Sequence, residues 1–192
     1  MARPSIANER REEILEAFEV CALEKGLEAT TLTDVAEQSG LPRSLVRHFM
    51  GNRADMVTGL IDRMMSRAIT GIQRAFDAPD QTNEHESLKI VLTQSFMDPV
   101  TNRLMIQLWQ QSWHDEQLYN QLRDVYERCV EQIHNRVFPL PTANSKDLAH
   151  ALTSMALGNA VLSQFAVHPV NDESLVTAGK AITKQTLKRK SR

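Results

Sequence analysis

An all-α fold is predicted for this 192-residue chain by two observations. The chain holds only seven glycines, seven prolines and 5% aromatic residues, while Ala, Leu, Glu, Gln, Arg and Met, which lose little freedom in a helix, are common. Apolar residues also recur at intervals of three and four along most of its length, the period of a helix with one buried face, and no strand-like alternation or internal repeat is visible. With 42% apolar and 24% charged residues, the composition excludes disordered and collagen-like chains. The length allows one domain, or two small ones sharing a core.

Ile14, Leu15, Phe18, Cys21 and Ala22 form one stripe, so a first helix is expected over roughly 8–25, stopped by Gly26. Thr31 followed by Asp34 is a capping-box-like start for a short second helix that buries Val35 and Ala36 and ends at Ser39-Gly40. Pro42 opens a third, since proline suits a first helical turn. Asn52 with Asp55 repeats the capping pattern, and Val57, Leu60, Ile61, Met64, Met65, Ala68, Ile69, Ile72 and Phe76 carry a long fourth helix to Asp77.

The polar segment 78–83 reads as a loop. Leu88, Val91, Leu92, Ser95 and Phe96 predict a fifth helix ending near Met97, and Asp98-Pro99 starts a sixth with Met105, Leu108, Trp109, Ser112 and Trp113 on one face. Leu118, Leu122, Val125, Tyr126, Cys129 and Ile133 line a seventh, broken at Pro139 and Pro141. An eighth runs from Asn144, with Asp147 at the capping-box position, to His168-Pro169; Asp172 caps a ninth carrying Leu175, Val176, Ala178, Gly179 and Ile182.

Cys21 and Cys129 fit no metal or redox spacing, so no disulfide framework is expected. No run of apolar residues reaches the ~18 needed for a membrane span, and Met1-Ala2-Arg3-Pro4 leads into a charged helix instead of a signal-type apolar region. A cytoplasmic protein is expected. The net charge of −2 neither suggests nor excludes a nucleic-acid partner, so the distribution of charge has to decide.

Two short helices joined by a Gly-containing turn and set against a first helix are the skeleton of a helix-turn-helix. On the third helix Arg43, Ser44, Arg47 and His48 segregate from Leu45, Val46 and Phe49. No acid lies between Gln38 and Ala54, so the polar side suits phosphates and base edges in a major groove; Arg53 extends the patch. Residues 1–55 nevertheless hold seven basic and ten acidic residues, a net −3, because the first helix is rich in Glu. An ordinary helical hairpin with a solvated arginine face has the same spacing, and helix geometry does not separate the two.

The runs Ile14-Leu15-Glu16-Ala17, Glu24-Lys25-Gly26, Ala29-Thr30-Thr31-Leu32-Thr33-Asp34-Val35-Ala36, Ser39-Gly40-Leu41 and Arg47-His48-Phe49-Met50-Gly51-Asn52-Arg53 together resemble the N-terminal signature of the TetR family of bacterial transcriptional regulators. The resemblance covers about residues 10–57. It implies a helix-turn-helix domain of three helices plus the start of a fourth, a variable helical effector domain, a homodimer on palindromic DNA, and repression released by a small ligand. The expected DNA-binding set is Thr31, Thr33, Arg43, Ser44, Arg47, His48 and Arg53. Arg47 stands where the family often has Tyr, and Arg53, where it often has Lys, is expected on a phosphate. The expected division is a helix-turn-helix domain over 1–55 and a ligand-binding and dimerisation domain over 56–192.

Leu108-Trp109-Gln110-Gln111-Ser112-Trp113-His114 and Gln117-Leu118-Tyr119 resemble the effector domain of the branch containing the repressor of choline-to-betaine synthesis genes. Aromatic faces hold quaternary ammonium groups by cation–π attraction. Phe96, Met105, Trp109, Trp113 and Tyr126 are therefore the candidate ligand-binding residues and a choline-like cation the candidate effector, although rings at helical spacing also simply bury area. Small residues at Ala149, Ala151, Ala156, Gly158 and Ala160, beside Leu148, Leu152, Met155, Leu162 and Phe165, would allow the eighth and ninth helices to pack against a second copy. The tail Lys184, Lys188, Arg189, Lys190 and Arg192 reads as a solvated end.

No HExxH, Walker, GxGxxG or GxSxG pattern is present, so no enzyme, metal or cofactor is expected. Glu131 with His134 and Asp147 with His150 have the spacing of half a helical di-iron site, but the sixth helix offers no carboxylate to complete it. The alternative function is a helical small-ligand-binding or di-metal protein that does not touch DNA.

Overall fold

The computed structural model describes residues 6–76, 84–96, 98–138, 144–165 and 171–188. The expected loop at 78–83, the breaks at Pro139, Pro141 and His168-Pro169, and the tail residues Arg189 to Arg192 lie outside them. Among the described residues there are nine helices and no strand: α1 Ile6–Lys25, α2 Leu32–Ser39, α3 Arg43–Met50, α4 Arg53–Phe76, α5 Glu84–Thr93, α6 Pro99–Ser112, α7 Glu116–Val137, α8 Ser145–Ser163 and α9 Asp172–Lys188. None of them is long and apolar enough to cross a membrane.

Helix starts follow local capping chemistry. Thr31 Oγ1 accepts the Asp34 amide at 3.2 Å while the Asp34 carboxylate accepts the Thr31 amide at 2.8 Å, the reciprocal box the sequence predicts for α2. Asn52 and Asp55 make the same exchange at the start of α4, at 3.1 and 2.8 Å. Asp98 accepts the Val100 amide at 3.1 Å ahead of α6. Two caps differ from expectation. Asn144 makes no side-chain cap, and α9 is capped one residue early, by Asn171, whose Oδ1 accepts the Glu173 amide at 2.8 Å.

Two helices also end earlier than their apolar periodicity suggests. Ser95 donates both its amide and its hydroxyl to the Ile90 carbonyl at 3.0 Å, which turns the chain before Phe96. At the end of α8, Gln164 and Phe165 donate to carbonyls three residues back, both at 3.1 Å, a tightened last turn.

The chain packs as two compact units. The first comprises residues 1–65 and 103–122. In it α1, α2 and α3 pack on one another, and Ile14, Phe18, Leu27, Val35, Val46, Met56 and Leu60 are fully buried, each worth roughly 1.5–3 kcal/mol. The second comprises residues 66–102 and 123–192. Its core gathers Leu88, Val91 and Leu92 of α5, Val130 and Ile133 of α7, Ala149, Leu152 and Ala156 of α8, and Val176 of α9. The division by packing therefore does not fall at residue 55: that position lies inside α4, and part of α6 and α7 belongs with the N-terminal helices. Cys21 and Cys129 are both buried and free, and burial pushes the Cys129 thiol up to about 11.

Candidate nucleic-acid interface

The turn between α2 and α3 is built by Gly40, left-handed at φ 68°. Its successor Leu41 donates to the Ala36 carbonyl at 3.1 Å, closing the end of α2 in a Schellman arrangement. Helix α3 then buries only Val46 and Met50, which fastens it to the unit by one edge. Arg43, Ser44, Arg47 and His48 are all exposed, as expected. At about 100° per residue, Ser44 and His48 lie nearest the middle of the outer arc, with Arg47 and then Arg43 on one flank.

The other flank departs from expectation. Leu45, placed by periodicity with the inward residues, is 38% exposed. It falls between the inner and outer arcs of an eight-residue helix, and Val46, Met50 and the half-buried Phe49 already fill the inner side. His48 keeps its ring edge against Phe49, with centroids 5.1 Å apart.

Arg11 of α1 donates from Nε to the Phe49 carbonyl at 3.2 Å. It satisfies an end-of-helix acceptor of α3 and adds positive charge where the helix dipole favours it. Sequence reasoning missed this residue, because its partner lies 38 positions away. The acids of α1 are partly neutralised: Arg10 pairs with Glu13 at 2.6 Å, and Arg63 pairs with Glu12 and with Glu19 at 3.3 Å. Lys25 pairs with Asp34. That ammonium, with the Thr31 hydroxyl and amide, holds the Asp34 carboxyl well below the usual carboxylate range.

Thr31 and Thr33 are exposed at the start of α2, but the Thr31 hydroxyl is engaged in the capping box, donating to Asp34 at 2.7 Å. Arg53 is turned inward. Its Nη2 donates to the Leu27 carbonyl at 2.7 Å, and its Nε is buried without a hydrogen-bond partner. In this arrangement it clamps the start of α4 to the turn after α1 instead of joining the outer face of α3.

A second clamp comes from α6. Gln107 accepts the Leu27 amide at 2.5 Å and donates to the Ala22 carbonyl at 3.4 Å; Arg103 donates to the Leu23 carbonyl at 3.4 Å. Arg103 thus serves a carbonyl in the last turn of α1, while Gln107 takes up the Leu27 amide and adds a second donor to the Ala22 carbonyl, which already accepts the Gly26 amide at 3.1 Å. Gln121 of α7 donates to the Thr58 hydroxyl of α4 at 3.0 Å. No local signal in the sequence marks these contacts.

No family model matches the chain. It is 30% identical over 94 residues, 49% of this chain and 44% of the other, to the HTH-type transcriptional regulator TtgR of Pseudomonas putida. The chain spans about half the length of the curated relatives it matches. A solved structure from Rhodococcus, described as a TetR-family transcriptional regulator, superposes with a TM-score of 0.70 at 15% identity, over 91% of this chain and 96% of that one. The fold is the TetR-family fold. A transcriptional regulator from Saccharomonospora viridis in complex with choline superposes at 0.72 with 13% identity, over 92% and 96% of the two chains.

Within this TetR-family fold the five candidate ligand residues divide between the units. Met105, Trp109 and Trp113 belong to the first, Phe96 and Tyr126 to the second. Phe96 packs on the core of α5, α7, α8 and α9. Met105, Trp109 and Tyr126 are half-buried. Trp113 is 80% exposed: α6 ends at Ser112, and the ring projects from the bend that follows, so it is not enclosed. Glu131, Asp147 and His150 are exposed, and His134 bonds the Ser145 hydroxyl at 2.8 Å. No group of three potential metal ligands exists among the described residues.

Proposed function

We propose that the protein is a cytoplasmic DNA-binding transcriptional regulator acting as a homodimer on a palindromic operator, a repressor released by a small ligand. The observation that carries the reading is the outer arc of α3. Arg43, Ser44, Arg47 and His48 stand exposed together in a stretch of 15 residues, 39–53, that contains no acid, while the inner edge is anchored by Val46 and Met50. In this reading residues 1–55 are the DNA-binding part and residues 56–192 bind ligand and dimerise; Thr31 and Thr33 approach the backbone from the start of α2. A duplex carrying an inverted repeat, selected from a random-sequence pool, should be retained, and log affinity should fall linearly with log salt by about 0.9 per phosphate neutralised. A protein that retains no duplex at low salt is not this regulator.

Arg47→Ala should weaken that binding by about 1–3 kcal/mol. Position on the flank of the arc favours a phosphate for Arg47: the loss is then nearly uniform across sequences and the salt slope falls by about one. A loss confined to one base position would instead identify guanine readout. Unchanged affinity in a band-shift titration would remove Arg47 from the interface.

The effector we propose is a small organic cation of the choline type. The choline complex of a protein with the same fold supports it, as does the half-buried ring of Trp109 beside the half-buried Met105 on α6 of the first unit. The ligand has to favour the DNA-free state by several kcal/mol to clear an operator. The chain has two tryptophans, so a Trp113→Phe variant leaves Trp109 as sole reporter. Choline should quench its fluorescence and release the selected duplex over the same concentration range. Quenching without release, or neither effect, would eliminate choline as effector.

A further inference from the structure

We propose that Leu45 is a specificity-determining residue that reads the methyl group of a thymine in each half-site; this rests on the DNA-binding reading above. Six large apolar or aromatic side chains among the described residues are conspicuously exposed: Ile6, Leu45, Trp113, Tyr119, Leu162 and Phe165. Leu45 is the one that lies on α3, among Arg43, Ser44, Arg47 and His48, all exposed. Nothing in α3 needs it there for folding, since Val46 is fully buried and Met50 nearly so.

The position of Leu45 in the arc gives it a different task from the arginines. At about 100° per residue it lies roughly 60° from the direction opposite the buried pair Val46 and Met50, whereas Arg47 lies roughly 100° from that direction on the other side. When the arc faces the floor of a major groove, Leu45 stays within reach of base edges and Arg47 points toward a wall of phosphates. The groove floor presents donors and acceptors from every base pair but only one apolar group, the thymine C5 methyl. A leucine carries no donor or acceptor, so the favourable contact open to it there is that methyl. Cytosine at the same place has only a hydrogen at C5 and an amino donor where thymine has O4, so the leucine loses its apolar contact.

The test uses the full-length protein and duplexes it selects from a random-sequence pool. Selection should fix an A·T pair at one position per half-site. Replacing that thymine with deoxyuridine removes the methyl alone and should lower affinity about four-fold per half-site, the worth of one buried methyl-sized group. Leu45→Ala should bind thymine and uracil duplexes equally with an unchanged salt slope, and Leu45→Met, which keeps an apolar contact, should retain the preference. Equal binding of thymine and uracil by the wild type, or an undiminished preference in Leu45→Ala, overturns the assignment while leaving DNA binding intact. If no duplex is retained from the pool, the DNA-binding reading fails and this assignment with it.

Discussion

Gly158→Arg is expected to yield a folded monomer whose affinity for the selected inverted repeat has dropped by roughly two to four orders of magnitude, the loss that follows when two linked binding events become one. Helix α8 places Ala151, Met155, Gly158 and Leu162 within an arc of about 60°, and Phe165 follows two residues past its end. Leu162 is 55% and Phe165 65% exposed, and a Cβ built on Gly158 meets nothing within 4 Å. Inside one chain, then, an arginine at 158 has room. Against a second copy it would wedge apart a contact that small and apolar residues would otherwise make close, and it would desolvate a charge without a partner. Sedimentation should show a monomer at micromolar concentration, with helical circular dichroism and Tm close to those of the wild type. A variant that still sediments as a dimer would move the proposed interface off α8.

Gly51→Ala is expected to destabilise the first unit by about 2–4 kcal/mol, combining the strain of a glycine-only backbone with loss of half a capping box. Gly51 joins α3 to α4 with φ 75° and ψ −134°, a conformation that side chains with a Cβ hardly enter. A Cβ there would also collide with the Asp55 carboxylate, which accepts the Asn52 amide at 2.8 Å. At about 2–4 °C per kcal/mol for a chain of this size, Tm should fall by roughly 5–15 °C. A change of less than a degree in calorimetry would mean that the turn relaxes without cost.

The contrast between these two glycines shows which parts of the molecule were legible in its sequence. Caps at Thr31, Asn52 and Asp98 could be read because donor and acceptor lie within three residues, and the periodicity of α1, α2 and α4 needed no distant information. The outer face of α3 was visible for the same reason. Leu45 was misplaced because a helical wheel assigns sides but not depth, and its angle lies at the border where neighbouring elements decide. Arg53 looked like one more surface cation; its acceptor, Leu27, is 26 residues away. Trp113 looked like the next turn of an apolar stripe, but its helix stops one residue before it. Periodicity cannot announce that stop.

The attachment of Gln107 to the end of α1 bears on how the N-terminal helices could be exchanged between relatives. A chimera cut at residue 55 or 65 would take α1 away from the amide group that accepts the Leu27 N–H and donates to the Ala22 carbonyl, and would part Arg103 from Leu23. The transplant would carry an unfinished helix terminus into any host whose own α6 has no matching side chain at that height. A functional exchange therefore has to move residues 103–122 together with the N-terminal helices, as a discontinuous graft whose junctions fall inside α4, α6 and α7.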